Sequence, residues 1–340
     1  MPEALAATEV LATHTPELFA VAMRRAAAVL RAGGLVALPT ETVYGLAANA
    51  LDARAVAAIY EVKGRPAHNP IIVHVAGLEM ARTCVKQWPP VADKLAQAFW
   101  PGPLTLVLPR SRRIPEIVTA GGPTVGVRWP AHPFTRAVIR ECGFPLAAPS
   151  ANLAGRLSPT NAEHVLKAFG GRISLIVDGG QSQVGLESTV VDLTGESPRI
   201  LRPGMIHEQS LFAVTGEMPH AEPYGPDTAG TLRSPGLQEK HYAPRAKLRL
   251  LHWRNAAELE SRLAPHAARA HVIAHTHIPG PDGFAGVSVI PRDAEAFARA
   301  IYAELHRCDE AGAALIVVEA LPDGVEWRAI EDRLRRAATD

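Results

Sequence analysis

The stretch LVALPTETVYGLAANALDARAVAAIYEVKGRPAHNPIIVHV, Leu35 to Val75, decides how this chain is read. It opens on four apolar residues, Leu35 to Leu38, a run of the length of a buried strand, and Pro39 ends the run. A polar loop follows, Thr40-Glu41-Thr42-Val43-Tyr44-Gly45. Asp52 then stands where a helix cap belongs, and the helix it opens runs to about Val62. That helix delivers Lys63-Gly64-Arg65-Pro66, then Asn69-Pro70 and a second strand, Ile71 to Val75, with His74 inside it. Hydroxyls, two cations, an amide and an imidazole thus gather at strand and helix ends, where α/β proteins build their sites.

Upstream, Thr15-Pro16-Glu17 is a helix start, and the helix through LFAVAMRRAAAVLRA stops at Gly33-Gly34. Downstream, helical segments are expected near 78–87 and 90–99, followed by a strand from Leu104 to Leu108 that holds Thr105. Thr124 to Arg128 reads as a strand and His132 to Cys142 as a helix. A short strand, Pro145 to Pro149, empties into Ser150-Ala151-Asn152, and Ser158 precedes another helix. Ile173 to Val177 is strand-like, and the stretches at 187–192 and 198–202 suggest an antiparallel pair. Strand and helix alternate irregularly, so a mixed sheet is expected rather than a purely parallel one.

From about 217 to 246 the chain turns rich in proline and glycine and loses periodicity. It reads as a linker between a first domain, 1–216, and a small α/β domain, 247–340. Its length exceeds that of a plain connector, which points to a function. In the second domain, His275-Thr276-His277 resembles a metal-binding pair with no obvious carboxylate partner.

A length of 340 residues fits two domains, and 47% hydrophobic with 20% charged residues is ordinary for a soluble protein. The net charge of +1 argues against charge-driven nucleic-acid binding, while leaving room for a local basic face. Three scattered cysteines, Cys84, Cys142 and Cys308, fit a reducing compartment and form no disulfide framework or zinc spacing. The first residues lack a signal peptide's basic and apolar regions, no apolar run reaches membrane-spanning length, and the cytoplasm is the expected location.

No Walker A loop, GxGxxG or GxSxG motif is present. Lys63, Arg65, Arg128 and Arg202 sit near element ends, and guanidinium forks suit phosphate and carboxylate equally. Ser150-Ala151-Asn152 and Ser158 offer hydroxyls, an amide and free backbone N–H groups for a phosphate or ribose. Each feature also has an ordinary structural meaning: surface charge for the cations, turn and cap for the serines, core for His74, strand for Ser188. Taken one at a time, the residues describe an α/β protein with an anionic ligand.

Taken together they say more. PTETVYGL (39–46), KGRP with NPIIVHV (63–75), WPGPLTLVL (100–108), TVGVRWP (124–130) and PLAAPSANLAGRLSPT (145–160) occur in order. DGG (178–180), ESTVVDL (187–193), ILRPG (200–204), SPG with HYAP (234–244) and AIEDRLRRAA (329–338) complete the set. With these motifs the chain resembles the threonylcarbamoyl-AMP synthases of the YrdC type, in their long two-domain form.

The resemblance implies a twisted mixed sheet with helices forming a concave cavity, and a Rossmann-like C-terminal domain on a long linker. It implies a nucleotidyltransferase that condenses L-threonine, bicarbonate and ATP into threonylcarbamoyl-AMP, releasing pyrophosphate. The product would pass to a tRNA threonylcarbamoyl transferase that modifies the adenosine beside the anticodon of tRNAs reading ANN codons. By the same resemblance, Thr42, His74, Arg128 and Ser188 look like the threonine site. Lys63, Arg65, Asn69, Thr124, Ser150, Asn152, Ser158, Arg202, Tyr242 and the backbone at Ala148 would hold ATP, with Lys63 and Arg65 neutralising the reacting phosphates. Mg2+ is implied with ATP, without a protein carboxylate cage, and residues 232–244 would fold over the site as a lid. Two other readings stand beside it: an RNA-binding module, since such folds have a broad concave face with room for basic residues, and a carbamoyl-transfer protein of the hydrogenase-maturation type, which shares this domain. The latter carries acylphosphatase and zinc-finger modules not evident in these 340 residues.

Overall fold

The computed structural model describes residues 7–221 and 242–338, which divide into two compact units. Among the described residues, the first holds those up to Ala154, Pro159–Gln183 and those from Glu187 to Ala221. The second holds Gly155–Ser158, Val184–Leu186 and those from Tyr242 on. Most of the expected linker at 217–246, and the lid at 232–244 apart from its last three residues, lies outside the described residues.

Eleven strands of the first unit join in one sheet. In chain order they are β1 (Glu9–Ala12), β2 (Val36–Leu38), β3 (Gly45–Asn49), β4 (Val73–His74), β5 (Leu104–Pro109), β6 (Thr124–Arg128), β7 (Leu146–Ala147), β8 (Leu175–Asp178), β9 (Thr189–Asp192), β10 (Arg199–Arg202) and β11 (His220–Ala221). Their spatial order is β1-β8-β2-β3-β7-β4-β6-β5-β9-β10-β11. Pairs such as β4 with β6 are parallel, while β2 with β3 and β9 with β10 are antiparallel, so the sheet is mixed as expected. The helices are α1 (Pro16–Arg31), α2 (Ala53–Lys63), α3 (Leu78–Cys84), α4 (Pro90–Phe99), α5 (Pro133–Cys142), α6 (Ala162–Phe169) and α7 (Glu208–Thr215).

The opening stretch folds as a hairpin and a helix. Pro39 stops β2, and the Thr40 hydroxyl then accepts from the backbone N–H groups of Thr42 and Val43, each at 3.2 Å, while donating to the Val43 carbonyl at 2.5 Å. These side-chain bonds replace the backbone ladder through the turn and return the chain antiparallel, with Leu38 opposite Gly45. Asp52 caps α2 by accepting from Arg54 N at 2.9 Å, and Gly64, at a left-handed φ of 60°, ends it. That glycine turns the chain into the Arg65 loop.

Residues of the hairpin alternate between two cores. Ala37, Leu46 and Ala48 join a cluster with Val56 and Ile59 of α2. Val36, Leu38 and Ala47 face Ala26 and Leu30 of α1 and Phe134 and Val138 of α5. The strand β3 is not apparent in the sequence, because GLAAN is buried on both sides and carries no alternation. The strand expected from Ile71 to Val75 forms a ladder only at Val73–His74, although Ile71 N reaches Val118 O and Val75 N reaches Arg128 O. The helix expected at 78–87 ends at Cys84, where Val85 turns extended and bridges to Arg110.

The second unit is a four-stranded, wholly parallel sheet of order β12-β15-β13-β14, with β12 (Lys247–Leu251), β13 (Ala270–Ala274), β14 (Gly286–Val289) and β15 (Leu315–Glu319). Helices α8 (Ala256–Leu263), α9 (Ala294–Glu310) and α10 (Arg328–Ala337) follow β12, β14 and β15, giving the expected Rossmann-like arrangement. Val272 and Val317 from the strands pack with Leu259 and Leu263 of α8 and with Trp253. The strand at β13 stops at Ala274, short of the histidines. The Glu319 carboxylate, 3% exposed, accepts from the backbone N–H groups of His275, Thr276 and His277 and from His277 Nδ1 at 2.7 Å. A carboxylate partner for the His275–His277 pair therefore exists, and it holds a loop.

Burial pushes the Glu319 carboxyl up, but its bonds from His275, Thr276 and His277 outweigh this and leave it below the ordinary glutamate value. Its stabilising effect is thus complete above the unfolded value near ~4.3 and is lost as pH falls through the lower native value. Glu319→Gln should lower the stability of the second unit by about 1–3 kcal/mol at pH 7 and flatten that acid limb. Chemical denaturation at pH 7 and pH 4 checks this, and an unchanged midpoint in the variant would refute it.

Candidate active site

Two neighbouring strands place the first group of side chains. Parallel register sets His74 of β4 beside Arg128 of β6, on one face of the sheet. Arg128 is 4% exposed and bonded on three sides. Its Nη1 donates to Thr42 Oγ1 at 2.8 Å, Nη2 to Glu41 Oε1 at 2.6 Å, and Nε to the Gly102 carbonyl at 3.2 Å. Thr42 Oγ1 in turn lies 2.8 Å from Thr40 Oγ1. A guanidinium carries five N–H donors, so one on each terminal nitrogen remains for a ligand, in the fork that matches a carboxylate. Burial, then the Arg128 charge, push the His74 imidazole down to about 3 against a backbone bond at Ile72, so the ring is neutral at physiological pH. Its Nδ1 is buried and makes no hydrogen bond among the described residues.

Ser188 stands just ahead of β9, which runs parallel to β5. Its hydroxyl lies 2.8 Å from Thr105 Oγ1 and accepts from Arg202 Nη2 at 3.1 Å. Arg202 also donates through Nε and Nη2 to the Ser188 carbonyl, at 3.1 and 3.0 Å. Close packing here needs Gly204, since a Cβ at that position would come within 2.3 Å of Thr189 N.

The second group gathers at the end of α2. Lys63 is its last residue, and the ammonium is buried, donating to Ser150 O at 2.5 Å, to Asn152 O, and to Asn152 Oδ1 at 3.3 Å. Burial, reinforced by the nearby Arg65 charge, pushes the amine well below the usual lysine range. Arg65, half-buried, reaches Asn69 O at 3.0 Å, Asn69 Oδ1 at 2.7 Å and Pro70 O at 2.5 Å. Ser150 Oγ donates to Asn152 Oδ1 at 2.6 Å. The loop 150–152 is tied back to the opening hairpin, because Ser150 bridges Gly45 and Ala151 N donates to Tyr44 O at 2.7 Å. Tyr44 OH spans to the DGG turn, donating to Gly180 O at 2.7 Å and accepting from Gly179 N at 3.1 Å.

The structure thus joins Thr42, His74 and Arg128 in one cluster, Ser188 with Arg202 in a second, and Lys63 with Ser150 and Asn152, and Arg65 with Asn69, in a third. Thr124 opens β6 opposite Pro109, and the Ala148 N–H is committed to Ile72 O at 3.1 Å. Ser158 and Tyr242 belong to the second unit. There the Ser158 carbonyl meets His306 Nε2 at 3.1 Å, and the Tyr242 ring lies 6.2 Å from Tyr302 and under the Arg333 guanidinium. Glu41, Thr40, Thr105 and the Gly102 carbonyl were not singled out by sequence reasoning. The available signal for Glu41 was an acid flanked by hydroxyls between two buried strands. Among the described residues, Lys63, Arg65 and Ser150 bond carbonyl and amide oxygens, and their ammonium, guanidinium and hydroxyl donors suit phosphate oxygens.

Residues 28–204 match the family described as telomere recombination (Sua5, YciO and YrdC), and residues 206–339 match the C-terminal domain of threonylcarbamoyl-AMP synthase. The chain is 41% identical over 323 residues to the threonylcarbamoyl-AMP synthase of Pyrococcus abyssi, covering 93% of this chain and 94% of that protein. It is 40% identical over 336 residues to the Bacillus subtilis enzyme of the same name, covering 97% and 95%. The crystal structure of Pyrococcus abyssi Sua5 complexed with L-threonine superposes with a TM-score of 0.86 at 39% identity, covering 97% of this chain and 96% of that one. With a family match over more than half its length and relatives that run nearly end to end, this chain belongs to the threonylcarbamoyl-AMP synthase family.

Proposed function

We propose that this protein is an L-threonylcarbamoyladenylate synthase, converting L-threonine, bicarbonate and ATP into threonylcarbamoyl-AMP, pyrophosphate and water. The observation that carries the reading is the buried Arg128, whose fork keeps two donors while Thr42, Glu41 and Gly102 fix its plane. Family membership and the threonine complex of the Pyrococcus abyssi protein support it. Arg128 takes the carboxylate of threonine, and Thr42, His74 and Ser188 line the same substrate.

Lys63 and Arg65 take the triphosphate. Their present partners are mainly backbone carbonyls, and phosphate oxygens are stronger acceptors for cationic donors. Asn69, Thr124, Ser150, Asn152, Arg202 and the backbone at Ala148 serve the nucleotide. Mg2+ arrives with ATP and contributes charge neutralisation on the phosphates. Threonine's amine first combines with bicarbonate, giving a carbamate and water. A carbamate oxygen then forms a bond to the α-phosphorus as the bond to pyrophosphate breaks. The positioned cations offset the charge that develops, and no covalent enzyme intermediate is needed.

The product passes to a tRNA threonylcarbamoyl transferase for N6-threonylcarbamoyladenosine formation, in the cytoplasm. The buried free thiols of Cys84, Cys142 and Cys308 support a reducing compartment, and no helix among the described residues is long and apolar enough to cross a membrane. An RNA-binding module or a hydrogenase-maturation protein is less favoured, given near end-to-end similarity to named synthases.

Incubation with labelled threonine, bicarbonate and ATP should yield an AMP-linked product and pyrophosphate in equal amounts. Arg65→Ala should lower kcat/KM for ATP by about 10²–10³-fold, as for loss of a charge-stabilising group. RNA binding with no adenylate formed would reverse the assignment. Arg128→Lys replaces a fork by a point charge, so KM for threonine should rise more than about tenfold with KM for ATP nearly constant; equal effects on both substrates would contradict the placement. A nitrogen-resolved NMR titration should find the His74 ring unprotonated from pH 5 to 8. Because its native value lies below the unfolded value near ~6.5, this group removes stability as pH falls from there towards the native value. A His74 signal titrating near pH 6.5 would contradict the burial argument.

A further inference from the structure

We infer that Glu41 is the residue that receives the ammonium group of the amino-acid substrate, an inference that rests on the reading of Arg128 as the carboxylate site. The Glu41 side chain is 8% exposed, and only one of its oxygens is satisfied: Oε1 accepts from Arg128 Nη2 at 2.6 Å. Oε2 is buried and accepts no hydrogen bond among the described residues. A carboxylate oxygen sealed from water without a donor is costly, and such an oxygen in a ligand site marks the place of a donor that arrives with the ligand.

The neighbouring hydroxyls among the described residues are already engaged. Thr42 Oγ1 is held between Thr40 and Arg128, and Thr40 Oγ1 donates to Val43 O. On its other side the carboxylate faces His132, whose Nδ1 accepts from Phe134 N at 3.3 Å and which burial holds below the usual histidine range.

The pair also has the right charge pattern. An α-amino acid carries a carboxylate and an ammonium on one carbon. Glu41 and Arg128, in contact, present the opposite charges side by side, so the guanidinium takes the carboxylate while the glutamate takes the ammonium. The second orphan in this cluster, His74 Nδ1, divides the work with it. Threonine brings two donor groups, an ammonium and a hydroxyl. The anionic Glu41 oxygen suits the cation, and the neutral imidazole beside Arg128 suits the uncharged hydroxyl. Glu41 is accordingly a substrate-binding residue that selects for a free α-amino group, the nitrogen on which the carbamate is built.

The test uses the full chain and two ligands, L-threonine and (2S,3R)-2,3-dihydroxybutanoate, in which a hydroxyl replaces the ammonium. The wild-type protein should bind L-threonine at least about 10-fold more tightly than the dihydroxy acid, in line with a hydrogen bond between charged groups. Glu41→Gln should weaken L-threonine by about 10–100-fold, change the dihydroxy acid less than about 3-fold and leave ATP binding intact, while Glu41→Asp recovers part of the loss. Equal weakening of both ligands would reduce Glu41 to a support for Arg128 and overturn the inference. So would a wild-type protein that does not discriminate between the ligands, a result that needs no variant to fold. A wild-type protein that binds neither ligand would instead overturn the threonine reading on which this one stands.

Discussion

A charge buried in a sheet has to be answered on every side, and Arg128 shows what that demands. Its guanidinium draws in a carboxylate from the β2–β3 turn, a hydroxyl from the same turn and a carbonyl from the loop before β5. Removing one partner of a buried ion pair costs about 3–5 kcal/mol, because the remaining charge is stranded. The position of the turn, the register of β4 against β6 and the pairing of β5 with β6 are all drawn together around this one group.

Lys63 repeats the principle at the other end of α2. Its ammonium sits against the carbonyls of residues 150 and 152, and its burial is possible only because that loop folds over it. Between the two clusters runs a short rigid path: the hairpin, Tyr44 and the bridge from Gly45 to Ser150. The Arg128 and Lys63 clusters are thereby referred to one piece of secondary structure, which suits chemistry that depends mostly on positioning.

Much of this was legible in the sequence wherever local chemistry decides the outcome. Thr15 and Asp52 cap their helices as their residue types require, and Gly64 stops α2 because a left-handed residue is needed there. Strand β3 was not legible, since its small residues are buried on both faces and show no period. The pairing of Thr42, Arg128 and His74 came from motif resemblance and could not come from spacing, because it depends on which strands lie side by side. Glu41 escaped notice for a related reason: a sequence shows that an acid is present but not that it is buried with one oxygen unanswered. The histidines at 275 and 277 illustrate the converse, as a metal-like pattern whose carboxylate, Glu319, lies forty-odd residues away and ties down a loop.

The hairpin that feeds both cores has an effect on how the chain reaches its working form. Side chains of a strand alternate, so a slip of β3 by one residue against β2 would turn Leu46 and Ala48 towards the side occupied by Val36, Leu38 and Ala47. Neither core tolerates the exchange, since each is packed against its own helices. The same slip would carry Thr42 and Glu41 away from Arg128. Mispairing at this hairpin therefore yields a chain that is both unstable and without a site, and no well-folded product with an altered preference lies one register away.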